Sequence, residues 1–180
     1  MEARTRIGLV AFSGFTAMVQ EPTADAEVMT DAIRSLLTGR RTAMGNGILV
    51  SIDAIAESQP DVARSYVGIR PRLDEVPNLP EQLAPAIIVV LTDGASNAGT
   101  DPLIAAQQAA DRGIRVYTIG YGSPTGGEMD PVCREQFIGR EPGSAGGSYG
   151  GGGRFRRAID EETLTGVADL TGGTYFPAES

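Results

Sequence analysis

No histidine occurs anywhere in the 180 residues, tryptophan is also absent, and there is a single cysteine, Cys133. The missing histidine removes the Ser-His-Asp and Cys-His nucleophile arrangements and most transition-metal sites. One cysteine supports neither an intramolecular disulfide framework nor a cysteine-built zinc site. Any metal held here is therefore a hard cation with oxygen ligands. Basic charge is in deficit as well, with 15 Lys and Arg against 23 Asp and Glu and a net charge of −8. That balance argues against a nucleic-acid binder, because phosphate neutralisation needs a basic face. No apolar run approaches the ~20 residues that cross a bilayer. Met1–Arg6 leads straight into a strand pattern, without the charged-then-apolar layout of a secretory leader. These residues read as soluble and leave the cell compartment open.

What is present is a chain of one domain's size, 41% apolar, enough for an ordinary core. Its organising stretch is Ala86-Ile87-Ile88-Val89-Val90-Leu91-Thr92-Asp93-Gly94. The apolar residues run without alternation, which predicts a central parallel strand buried on both faces. Asp93 at its carboxyl end, followed by a glycine, stands where open α/β sheets place their ligands.

Around this stretch the spacing predicts alternating strands and helices. Ile7–Phe12 and Phe15–Gln20 are short strands joined by a tight Ser-Gly turn, hence an antiparallel hairpin at a sheet edge. A helix starts at Thr23 or Asp25, with Val28, Met29, Ala32, Ile33, Leu36 and Leu37 as its sheet-facing stripe, and ends at Gly39. A second helix carries Ile48, Leu49, Ile52, Ile55 and Ala56 inward. Gly45 and Gly47 in its first turn cost about 1 kcal/mol each relative to alanine. Backbone close to another group there, or easier helix-to-sheet packing, accounts for them. Asp101 caps a helix with Pro102 at its first position, ended by Gly113. Ile114–Gly120 is a strand, so this unit is a parallel crossover. Asp160-Glu161-Glu162 opens a last helix with Leu164, Val167, Ala168 and Leu170 inward, closed by Gly172-Gly173 before a strand from Thr174.

Two stretches break the pattern. Residues 58–85 form a long connection with Pro60, Pro71, Pro77 and Pro80. A short strand or helical turn fits near Tyr66–Ile69 or Glu81–Leu83. Residues 121–157 are glycine-dense, culminating in Gly150–Gly153, and are expected to be a flexible insertion. Within it Cys133 is either an idle thiol or a pairing partner for another chain. Glu128 and Asp130 are scattered acids, and Arg154, Arg156 and Arg157 are solvated surface.

Three motifs together resemble the von Willebrand factor type A domain: Arg-Thr-Ala-Met-Gly-Asn-Gly (41–47), Leu-Thr-Asp-Gly (91–94) and Ala-Asp-Leu-Thr-Gly-Gly-Thr-Tyr-Phe (168–176). Ile7–Phe12 looks like that family's second strand, and bacterial members are the nearest in pattern. The resemblance implies a three-layer α/β fold, a mostly parallel Rossmann-like sheet with one antiparallel edge strand. It also implies a protein–protein interaction module, not an enzyme, built around a metal-ion-dependent adhesion site. In the family that site holds Mg2+ (or Ca2+ or Mn2+) through an Asp-x-Ser-x-Ser motif, a threonine and an aspartate. Thr42 and Asp93 match the last two, and Arg40 and Arg41 flank them. No Asp-x-Ser-x-Ser occurs in this sequence. The family's first strand and first helix are therefore expected upstream of Met1, and its final helix beyond Phe176.

Two expectations follow from that departure. Divalent affinity is weak or absent, because magnesium needs six ligands and calcium six to eight. The absent strand belongs between the second and the central one, so its slot is expected to cause poor folding or self-association. The resemblance implies a partner protein that presents an acidic side chain. It also implies a larger polypeptide that is often membrane-attached or extracytoplasmic. The competing readings are a hydrolase or phosphoryl-transfer enzyme using Asp93, and an inert structural fragment. The former lacks a histidine base, and Ala95 stands where a second aspartate of an Asp-x-Asp pair belongs.

Overall fold

Ile7–Phe12 (β1) and Thr16–Thr23 (β2) pair antiparallel around the turn at residues 13–15. Their register slips between Ile7 and Val10, opposite the stretch of β2 that contains Pro22, a residue with no N–H to donate to a ladder. The computed structural model describes residues 5–37, 39, 41–66, 83–122 and 159–178. Helix α1, Ala26–Arg34, starts on Asp25, whose carboxylate accepts from the Glu27 and Val28 N–H groups at 2.9 and 3.3 Å. The expected inward stripe is not realised. None of its residues is buried, and Leu36 and Leu37 lie beyond the helix end, Leu37 at 91% exposure. Ser35 closes the last turn instead of Gly39, its hydroxyl donating to the Ala32 carbonyl. Helical spacing states what a helix can bury; it does not supply the surface to bury it against.

Met44–Ser58 (α2), Pro102–Ala110 (α3) and Glu161–Thr171 (α4) form a continuous layer, α2 against α3 and α3 against α4. Each begins and ends as its residues dictate. Asp101 accepts from the Leu103 N–H ahead of Pro102, Asp160 accepts from the Thr163 N–H, and Gly172 closes α4 at φ +70°. Beneath them Ile87–Thr92 (β3), Arg115–Tyr121 (β4) and Tyr175–Ala178 (β5) form a parallel sheet in that order. The core is Met44, Ile48, Leu49 and Ile52 of α2, Ala105, Ala106 and Ala109 of α3, Leu164 and Val167 of α4, and Ile88, Val90 and Val116 of the sheet. Thr118 and Thr171 are buried with it. The Thr118 hydroxyl donates to the Leu164 carbonyl, and the Val116 N–H donates to the Thr171 hydroxyl, each at 2.9 Å.

The strands form an antiparallel pair, β1–β2, and a parallel sheet, β3–β4–β5, the mixed α/β arrangement expected, with no described strand between β1 and β3. One expectation changes here. The central strand is covered on one face only. Ile88, Val90 and Thr92 are buried, whereas Ile87, Val89 and Leu91 are 49%, 55% and 62% exposed. The apolar run was right about the strand's capacity. What is absent, among the described residues, is a layer over its second face. The glycines behave as close-packing positions. A Cβ on Gly47 would fall 2.8 Å from the Phe12 ring, and Gly45 lies against the Thr100 carbonyl.

The connection after α2 is described as far as Tyr66, which hydrogen-bonds through both backbone groups to Gln108 of α3. The expectations for residues 67–82 and for the glycine-dense stretch from 123 to 158, including Cys133, lie outside the described residues.

The one-sided burial of β3 has a measurable consequence. Ile52→Ala should lower stability in urea titration by about 2–5 kcal/mol, whereas Leu91→Ala should change it by about 0.5 kcal/mol. Equal losses at the two positions would mean that the Leu91 face is covered in solution.

Candidate functional site at the carboxyl end of β3

The strand's last residue, Thr92, is buried, and its hydroxyl donates to the Gly94 carbonyl at 3.0 Å. The same hydroxyl lies 3.3 Å from the Gly94 N–H. This local turn stops the strand and leaves Asp93 exposed at the sheet's carboxyl rim. The loop then runs to Thr100, passing Gly99 at φ +73°. Here the second candidate residue arrives. The Thr42 N–H donates to the Asn97 side-chain carbonyl at 2.9 Å. The Thr42 carbonyl accepts from the Asn97 and Ala98 N–H groups at 2.9 and 3.2 Å and from the Ser96 hydroxyl at 3.1 Å. Thr42 is thus clamped, through its backbone, onto residues three to five positions after Asp93.

A third loop joins them. The Ala43 N–H donates to the Ser13 carbonyl at 2.9 Å, tying the start of α2 to the β1–β2 turn. One turn into α2, the Asn46 side-chain carbonyl accepts from the Thr100 N–H at 2.9 Å. Arg41, just before Thr42, is held at φ +68°, a left-handed conformation costly for a side chain of its size. Arg40 lies outside the described residues. The sequence reading placed Thr42 and Asp93 but missed Ser96, Asn97 and Asn46, which do the holding. Their only signal was a run of small polar residues, a pattern most surface loops share.

Thr42 and Asp93, the two residues matched to the family's site, lie on loops that these hydrogen bonds hold together at this rim. The Ser96 hydroxyl donates its hydrogen to the Thr42 carbonyl. No cluster of three or more His, Cys, Asp or Glu is present among the described residues. Two ligands alone do not fit a cation that needs six or more oxygens.

The model of the von Willebrand factor type A domain family matches residues 1–136. A UPF0353 protein of Nocardia farcinica is 29% identical over 182 residues, covering 97% of this chain and 46% of that protein. The chain thus spans less than half the length of this relative. The solved structure of a conserved hypothetical protein BatB from Bacteroides thetaiotaomicron aligns with a TM-score of 0.63 at 18% identity, over 99% of this chain and 73% of that one. An aerotolerance-related membrane protein from Bacteroides fragilis aligns at 0.59 and 19%, covering 96% of this chain and 71% of that one. Proximal thread matrix protein 1 from the mussel byssus, with a zinc-occupied MIDAS motif, aligns at 0.52 and 16%, over 97% of this chain and 32% of that one. These structural likenesses establish the mixed α/β fold.

The clamp at Thr42 can be loosened one bond at a time. Asn97→Ala removes the side-chain acceptor and should cost about 0.5–1.5 kcal/mol, raising the amide exchange rate of Thr42 by about 3- to 10-fold. An unchanged Thr42 amide would show that the two loops are held together by something else.

Proposed function

This chain belongs to the von Willebrand factor type A domain family, and from that membership we propose that it is a protein–protein interaction module whose binding rim is the carboxyl end of β3. The observation that carries this reading is the clamp of the Thr42 segment onto the loop that begins at Asp93. It brings the two residues that match the family's site to one edge of the sheet. Neither side chain has a role in the core; Asp93 is exposed and Thr42 half-buried.

Cation dependence belongs to this proposal in a restricted form. Thr42 and Asp93 would be two of the ligands of a Mg2+, Ca2+ or Mn2+ ion, and the remaining oxygens would come from residues beyond these 180. In that longer polypeptide the partner would be a protein presenting an acidic side chain. A membrane-attached setting is proposed on the likeness to the Bacteroides fragilis membrane protein. In this chain no helix among the described residues is long and apolar enough to cross a membrane.

The alternative is a hydrolase or phosphoryl-transfer enzyme using Asp93, with an inert fragment as the third reading. The residues that clamp the Thr42 loop to the Asp93 loop, Ser96 and Asn97, offer no general base at neutral pH. A phosphatase screen on the full-length form with Asp93→Asn as control separates enzyme from module. Any turnover abolished by that substitution would replace the module reading. Capture of a partner by the full-length form in millimolar magnesium, lost in chelator and in Asp93→Ala, separates module from remnant. For the 180 residues themselves, calorimetric titration with magnesium should give no saturable heat. Tight binding would mean that the cage is complete within this chain.

A further inference from the structure

We propose that Arg41 and Gly94 are two contact points of the rim: Arg41 holds a carboxylate of a partner protein without help from a cation, and Gly94 leaves room for that partner's chain to pass. The proposal deepens, and rests on, the reading of this rim as a protein-binding site. Two residues there are unsuited to the fold in opposite senses, and one occupant accounts for both.

A fold needs glycine where the backbone is left-handed or where a Cβ would collide. Gly99 and Gly172 meet the first condition at φ +73° and +70°. A Cβ on Gly45 or Gly173 would strike a backbone carbonyl, and one on Gly47 the Phe12 ring. Gly94 meets neither condition. Its φ is not left-handed, and a Cβ there would have nothing within 4 Å among the described residues. The turn does not ask for glycine either. It is made by the Thr92 hydroxyl with the Gly94 carbonyl and N–H, groups that every residue but proline carries. The space over Gly94 is therefore kept for something that binds, next to the aspartate matched to the family's site.

Arg41 is the converse. At φ +68° a glycine would sit without cost, and an arginine is strained. The next two residues enforce that conformation, Thr42 through its bonds to the loop after Asp93 and Ala43 through the Ser13 carbonyl. They explain the backbone and not the choice of residue, so the reason lies in the side chain. That side chain is exposed, and among the described residues its guanidinium makes no hydrogen bond or ion pair. Its forked N–H groups match a carboxylate through two parallel bonds. On a chain of net charge −8, an unpaired cation at the rim selects an acidic partner. The two positions lie on adjoining loops, because the Thr42 carbonyl accepts from the hydroxyl of Ser96, two residues after Gly94. A partner segment of a few residues, at about 3.3–3.6 Å each, reaches both.

The test has one arm without a partner and one with an acidic probe. In urea titration, Arg41→Gly should raise the unfolding midpoint, and neither Gly94→Ala nor Gly94→Val should lower it. A lower midpoint in any of these variants would show that the native residue serves the fold, and would overturn the proposal. The probe of the second arm is a labelled synthetic peptide of alternating aspartate and serine, followed by fluorescence anisotropy with the full-length form, in chelator and in millimolar magnesium. It should bind saturably in both conditions, and the same peptide with asparagine for aspartate in neither. Arg41→Gly should weaken binding about 10-fold, as expected for one charge-assisted pair. Arg41→Lys should recover only part of that loss, and Gly94→Val should weaken binding as well. Unchanged affinity in Arg41→Gly or Gly94→Val, or binding in magnesium alone, overturns the proposal and leaves the rim reading standing. No binding in either condition removes both.

Discussion

The packing of α2 against two different sheets is the constraint on which the rest of the molecule depends. Ile48 and Ile52 share the buried core with Ile88 and Val90 of β3. Gly47, immediately before Ile48, takes the Phe12 ring of β1. A side chain at Gly47 would push that ring, and with it the hairpin, away from the helix. The two glycines at the start of α2 lower its intrinsic helical stability, and the close contacts they permit offset that cost. Without them the β1–β2 hairpin would have little to rest on, since α1 buries none of its residues.

The same helix fixes the rim. Its first residue follows Ala43, which is tied to the β1–β2 turn, and Thr42, which is tied to the loop after β3. The hydrogen bonds that build the candidate site are therefore also bonds between the two sheets. Most of them are made by backbone groups of residues 42 and 43, so the substrate of the geometry is the chain path and not the identity of the side chain at 42. Side chains contribute at Ser96, whose hydroxyl donates to the Thr42 carbonyl, and at Asn97 and Asn46, each using a side-chain carbonyl to satisfy a loop N–H that would otherwise have no ladder to join.

Much of this was legible in the residues. Caps at Asp25, Asp101 and Asp160 and the αL glycine at 172 are local signals read by local chemistry, and the helices begin where those signals put them. The parallel pairing of Ile87–Thr92 with Arg115–Tyr121 followed from a helix lying between them. Burial was less legible, because it depends on what lies opposite. Ile87, Val89 and Leu91 are as apolar as Ile88 and Val90, and nothing in their order shows that only one set would be covered. The loop clamp was illegible for a different reason. Thr42 and Asn97 are 55 positions apart, and a backbone N–H meeting an amide carbonyl leaves no periodic trace.

The two sheets and the rim are mechanically linked by these same bonds. Thr42 is held to the β3 side by Asn97, while its neighbour Ala43 is held to the β1 side by the Ser13 carbonyl. Any change in the separation of β1 and β3 must be absorbed between those two anchors, within one residue of backbone. Arg41, already at φ +68°, sits immediately before them, where strain of about 1–3 kcal/mol is stored when the surroundings hold a bulky residue left-handed. The spacing of the two sheets and the position of Thr42 relative to the Asp93 loop are therefore set by one pair of neighbouring anchors.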